Sequence, residues 1–143
     1  MLVHMPDHPS LEPLAFLLGT WRITGRAAAG GQVTGHSTVT RLPGGFALVQ
    51  HRVATLVLGR HTTVDESYEF VVTSTTGYRA HLFSSLGPVT VLDGALDGPT
   101  LVLTGPYRAT RTPAPDGCIT ATVQLPGPDG TWTDWQTLTY IPA

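Results

Sequence analysis

Residues 89–105 have the sequence VTVLDGALDGPTLVLTG, in which two runs of apolar and β-branched residues flank Asp97-Gly98. Both residues of an Asp-Gly pair tolerate a positive φ angle, as a two-residue hairpin turn requires. The stretch therefore predicts two antiparallel strands, Val89–Leu96 and Thr100–Thr104, joined by a tight turn.

The same alternation of short strand-forming runs and turns continues in both directions from this hairpin. With it, the chain contains about ten predicted strands, and their even spacing with short connections favours an antiparallel meander. Closing such a sheet removes its exposed edges, so we predict an all-β fold, a single up-and-down barrel. The other predicted strands are Trp21–Gly25, Gln32–Leu42, Phe46–Leu58, one centred on Tyr68, Tyr78–Ser84, Tyr107–Thr112, Cys118–Leu125 and Trp132–Ile141.

The N-terminal region is the one part of the chain with helical spacing. Apolar residues between Leu11 and Leu18 predict a short helix, which Gly19 ends. Residues 1–10 are rich in His and Pro, so we expect a flexible tail followed by one barrel domain over residues 11–143.

Composition excludes several classes of protein. The 143 residues include 22 Thr and no Lys, and only 13% are charged against about 25% in typical soluble proteins. A net charge of −2 provides no broad field for nucleic acid or an anionic membrane. A single cysteine, Cys118, and no long apolar run lead us to expect a cytoplasmic protein, with homodimerisation left open.

The run Leu14–Trp21, LAFLLGTW, places a Gly-x-Trp element after a short helical turn. It resembles the barrel entry of the lipocalin and fatty-acid-binding superfamily, the calycins. With the turns at 42–46, 84–87 and 93–98, the chain looks like small bacterial lipocalin-like barrels of unknown function over residues 11–141. The resemblance implies that Trp21 plugs the closed end and that a late-strand arginine, Arg108 or Arg111, packs over it; we assign Arg108.

The same N-terminal run is similar to nitrobindin-type haem barrels, whose iron-ligating His lies late in the chain. Here no His follows His81, so we expect no haem and no other cofactor. The spacing of His36, His51, His61 and His81 shows no convergence of ligands, and we expect no metal site.

The acidic cluster consists of Asp65, Glu66 and Glu69. On a strand, Asp65 and Glu69 share one face and Glu66 takes the other. We expect solvated outer positions flanking Tyr68.

A barrel of about ten strands is too wide for side chains alone to fill, so a ligand cavity is expected. Strand parity, that is, which alternate residues of a strand face inward, is uncertain by one residue, and a shift of one residue exchanges the inner and outer faces. We choose His51 because Val49 and Val53 share its face, and His81 because Phe83 shares its face. The predicted ligand anchors are His51, Tyr68, His81 and Gln136, within a candidate lining of Phe46, Leu48, Gln50 or His51, Tyr68, Phe70, Tyr78 or His81, Val91, Tyr107, Gln136 and Tyr140.

Three functions are compatible with such a barrel. The leading hypothesis is a carrier or sensor for a small, mostly apolar molecule, without nucleic-acid or membrane partners. The alternative is a cyclase or isomerase that uses the cavity as a reaction chamber, which a perturbed His or Glu there would favour. The catalytic residues of such an enzyme are unknown, and a filled interior would favour a structural module instead.

Overall fold

A computed structural model describes residues 10–143 of the chain. Within that range ten antiparallel strands form a closed barrel in which each strand pairs with its neighbours in sequence and β10 pairs with β1. The predicted fold class is confirmed, whereas the tail predicted for residues 1–10 lies, except for Ser10, outside the described residues. The strands are β1 Gly19–Ala27, β2 Gln32–Arg41, β3 Ala47–Leu58, β4 His61–Ser74, β5 Gly77–Ser84, β6 Thr90–Asp97, β7 Thr100–Thr104, β8 Arg108–Pro113, β9 Ile119–Pro126 and β10 Trp132–Pro142.

A short 3-10 helix, Glu12–Leu17, lies at one end of the barrel. Leu14 and Leu17 are buried there, and the Trp21 indole Nε1 donates to the Leu17 carbonyl oxygen at 2.9 Å. The Tyr78 hydroxyl donates to the Ser10 carbonyl oxygen at 2.6 Å. These contacts close this end, which we call the closed end, and Trp21 is only 6% exposed.

Two glycines allow β1 and β2 to pass close to their neighbours. A Cβ atom on Gly25 would lie 2.2 Å from the Thr137 carbonyl oxygen, and one on Gly35 would lie 2.2 Å from the Val53 carbonyl oxygen. Glycine in a strand interior is typical of such close backbone approaches and of barrel corners.

The turns that join β2 to β3, β4 to β5, β6 to β7 and β8 to β9 lie at the closed end, since the strands alternate in direction. The remaining connections lie at the opposite end, which we call the open end. Within residues 10–143, no helix is long and apolar enough to cross a bilayer.

Replacing Trp21 with alanine is expected to lower the free energy of unfolding by about 3–5 kcal/mol, the usual range for a large buried aromatic. Chemical denaturation followed by circular dichroism measures the loss. Trp132→Ala is the control, because that side chain is only partly buried; an equal loss in both variants would contradict the special role of Trp21.

Gly35→Ala is expected to destabilise the barrel by about 1–3 kcal/mol, because its methyl group would overlap the backbone of β3. The matched control is Gly87→Ala, whose Cβ meets open space. Thermal melts of both variants should show a lower Tm only for Gly35→Ala, and unchanged melts of both would contradict the close approach.

Candidate functional site

A cavity of about 500 Å³ lies inside the barrel. Its lining reaches Leu56, Leu86 and Leu125 near the open end and descends to Tyr140 on β10. The walls are mainly apolar and come from strands all around the barrel: Val33, Ala54, Leu82, Leu92, Ala109, Ala121, Val123 and Leu138.

The deepest polar feature is an ion pair between Glu69 on β4 and Arg111 on β8. Arg111 Nη1 and Nη2 donate to the two carboxylate oxygens at 2.6 and 2.9 Å, a bidentate geometry. Both side chains are buried, and Glu69 is 3% exposed. Burial lowers the pKa of Arg111, but the charge and hydrogen bonds of Glu69 outweigh it and raise that pKa above its usual range.

A short chain of hydrogen bonds extends from this ion pair. Gln50 Nε2 lies 3.5 Å from Glu69 Oε1, and the Ser37 hydroxyl donates to Gln50 Oε1 at 2.9 Å. Buried amide and hydroxyl groups need such partners, because an unpaired polar group loses its hydration without compensation. The floor of the cavity is therefore held in one arrangement.

Arg52 is the second arginine of the lumen. Its Nη1 donates to the Tyr140 hydroxyl at 3.2 Å, and interaction with Tyr140 raises the pKa of the guanidinium despite the opposing effect of burial. The Nε atom of Arg52 is buried and has no hydrogen-bond partner. This atom is enclosed by protein, so the donor that a ligand in the cavity can reach is Nη2, which has no hydrogen-bond partner among residues 10–143.

Asp65 and Tyr107 are two further polar residues of the lining. The Ser84 hydroxyl donates to Asp65 Oδ1 at 2.7 Å. Burial raises the pKa of the Tyr107 phenol, which keeps it a neutral donor and acceptor at physiological pH.

Three of the four predicted anchors lie on the outer face of the barrel. His51 stacks on Tyr68 with ring centroids 4.5 Å apart, and its Nε2 contacts Glu66 Oε2 at 3.1 Å. Tyr68 is 46% exposed, and His81 pairs with Phe70 rather than lining the cavity. The prediction that His51, Tyr68 and His81 face the lumen was wrong. The inward–outward alternation chosen for β3 to β5 was off by one residue, which exchanged the inner and outer faces of these strands.

The rest of the candidate lining is confirmed in part. Gln50, Tyr107 and Tyr140 line the cavity, whereas Phe46, Phe70 and Val91 do not, and Leu48 is buried in the core outside the cavity. Tyr78 is buried at the closed end instead.

Gln136 does line the cavity, together with its neighbour Trp135. The pairing of β9 with β10 shifts register between Asp134 and Gln136. A bulge of this kind re-aims side chains, which explains why two consecutive residues contribute to one lining.

The placement of Arg108 over Trp21 also needs correction. Arg108 begins β8 directly after the β7–β8 connection at the open end, whereas Trp21 lies at the closed end, and Arg108 is not part of the cavity lining. Arg111, the other candidate for that role, pairs with Glu69 instead.

The acidic cluster divides differently from the expectation. Asp65 and Glu69 share one face as predicted, but that face lines the lumen, and only Glu66 lies outside. Among residues 10–143, no group of three or more His, Cys, Asp or Glu side chains is arranged to hold a metal ion.

Sequence reasoning missed Arg52, Asp65, Glu69 and Arg111 as lumen residues. One usable signal is the tight turn at Gly59-Arg60, which sets Gln50 opposite Glu69 and Arg52 opposite Ser67. Because residues paired across two strands share a face of the sheet, these four polar side chains are expected on the same side.

No protein-family model and no curated protein matches this chain. Among the solved structures to which it is similar, a redesigned β-barrel, mFAP0, bound to DFHBI, is 21% identical, with 88% of this chain and 98% of that chain covered and a TM-score of 0.45. A de novo fluorescence-activating β-barrel is 15% identical, with coverages of 97% and 100% and a TM-score of 0.46. EF1p2_mFAP2b bound to DFHBI is 16% identical, with coverages of 94% and 100% and a TM-score of 0.49. At these values the likeness is one of architecture only.

Removing either partner of the Glu69–Arg111 pair is expected to cost about 3–5 kcal/mol, because a buried charge is left unpaired. The double variant Glu69→Leu/Arg111→Met should lose less than the sum of the single losses, and denaturant unfolding of all four proteins measures this coupling. The exposed pair Arg79–Asp93 is the control, with an expected coupling below about 1 kcal/mol. Equal coupling in the two pairs would contradict the buried bridge.

Proposed function

We propose that this barrel binds one small, mostly apolar molecule in its lumen, as a carrier or sensor. The supporting observation is the cavity of about 500 Å³, which lies within the range of about 300–1,000 Å³ that is usual for small-molecule sites. Its apolar walls surround a few fixed polar groups, the combination that gives affinity together with orientation.

The distribution of polarity suggests how such a ligand lies. Leu56, Leu86 and Leu125 line the cavity near the open end, whereas Gln50, Arg52 and Tyr140 line the part nearer the closed end. An apolar body would lie near the open end, and a polar end of the ligand would reach the part nearer the closed end. Gln136 is retained as a proposed ligand contact from β10.

The wider assignment is also a proposal. We propose that the chain is a lipocalin-like barrel of a bacterium and that it lies in the cytoplasm. The assignment to this class rests on the Gly19-x-Trp21 element and the turns, which resemble those of such barrels. A second copy as partner stays a prediction. Tyr68 and Phe83, each 46% exposed on neighbouring outer positions, are where such a contact is best sought.

The alternative is a cyclase or isomerase, and Asp65 is the observation in its favour. Both carboxylate oxygens of Glu69 are engaged by Arg111, whereas Asp65 faces the lumen with a hydroxyl as its hydrogen-bond partner. Small molecules retained by wild type and by Asp65→Asn, both purified from the native host, distinguish the two functions by mass spectrometry. The same compound in both favours the carrier, and a different compound in Asp65→Asn favours the enzyme.

Lumen binding is tested with N-phenyl-1-naphthylamine, a neutral apolar dye that fluoresces in dry surroundings. Leu82→Trp adds bulk inside the cavity and should weaken binding at least about tenfold, because the added indole occupies the space of the dye. Fluorescence titration gives the Kd.

The matched control is Phe83→Trp, one residue further along β5 on the outer face. It should leave the Kd unchanged. Failure of the wild type to bind the dye, or equal weakening in both variants, would count against a ligand-binding lumen.

A further inference from the structure

We propose that the polar end of the ligand is uncharged and carries a hydrogen-bond acceptor beside a donor, as a primary amide does, and that it lies between Arg52 and Asp65. This inference rests on the proposed function and specifies the class of ligand for the same cavity.

Arg52 supplies the donor side of this site. Its side chain lines the cavity, although its Nε is enclosed by protein. The only protein hydrogen bond of its guanidinium among residues 10–143 is the one from Nη1 to Tyr140 at 3.2 Å. A ligand oxygen can therefore accept a charge-assisted hydrogen bond from Nη2 without displacing a protein partner.

Asp65 supplies the acceptor side. Arg52 pairs with Ser67 and Ala54 pairs with Asp65, so the two charged residues are diagonal neighbours on the inner face, a separation of about 7–8 Å between backbones. Within the described part of the chain no ion pair joins Arg52 to Asp65, whereas Glu69 and Arg111 form an ion pair with each other. A head group can thus contact both residues at once.

Charge balance favours an uncharged head. The described ionisable groups of the lining that carry charge at neutral pH are Arg52, Arg111, Asp65 and Glu69, which sum to zero. A carboxylate or an ammonium head would leave one net charge inside an apolar enclosure, which is costly. An amide satisfies the Arg52 donor and the Asp65 acceptor and leaves the balance intact.

The wild-type protein is tested by displacement of N-phenyl-1-naphthylamine with four probes of equal chain length: decanamide, decanoate, decylamine and methyl decanoate. Decanamide should bind at least about tenfold tighter than each of the others, the factor expected for a hydrogen bond to a charged group. Equal or tighter binding of decanoate, decylamine or the ester would overturn the inference. If the dye binds but the four probes bind equally well, the inference is overturned and the proposed function stands. If the dye does not bind, both the inference and the proposed function are contradicted.

Two variants test the charge argument by reversing the preference. Asp65→Asn gives the lumen a net positive charge and should raise the affinity for decanoate relative to decanamide at least about tenfold. Arg52→Met gives a net negative charge and should favour decylamine over decanamide.

Arg108→Met is the matched control. Arg108 also has a buried Nε without a partner, but it does not line the cavity, so the order of the four probes should not change. Circular dichroism shows whether each variant folds, and the wild-type series tests the inference even where a variant does not fold. An unchanged decanoate-to-decanamide ratio in folded Asp65→Asn would overturn the inference.

Discussion

The ion pair between Glu69 and Arg111 crosses the interior of the barrel and divides it into two parts. Between this pair and the 3-10 helix, Leu14, Trp21 and Leu48 pack as an ordinary core. On the other side the lumen contains the cavity of about 500 Å³, which extends toward the end away from the helix. The position of the cavity therefore depends on where this bridge lies.

The bridge remains in place because its remaining hydrogen-bonding capacity is largely used. Its two parallel N–H···O contacts fix the guanidinium and carboxylate planes, and Gln50 and Ser37 continue the network. Two charges removed from water are tolerated only with such geometry. A rigid polar floor beneath apolar walls is what allows a site to orient a small molecule.

Arg52 differs from Arg111 in the way that matters for binding. Arg111 donates to both oxygens of one carboxylate, whereas the guanidinium of Arg52 has, within the described part of the chain, a single hydroxyl partner and a free Nη2. The same residue type thus serves as a structural member on β8 and as an available donor on β3.

Sequence alone determined the number of strands, their order and the pairing of their faces. Tight turns such as Gly59-Arg60 and Asp97-Gly98 set the register locally, and a barrel follows because a meander of this many strands must close its edges. Even the grouping of His51, Tyr68 and His81 on one face follows from these turns, because each hairpin fixes which residues of the next strand share a face with those of the strand before it.

Which of the two faces turns inward is decided only by the tertiary structure. Apolar residues occupy both faces of β3, with Leu48, Ala54 and Leu56 on one and Val49, Val53 and Val57 on the other, so burial gives no local preference. The choice is made by partners distant in the chain, such as Arg111 meeting Glu69 across the lumen, and no local pattern contains that contact.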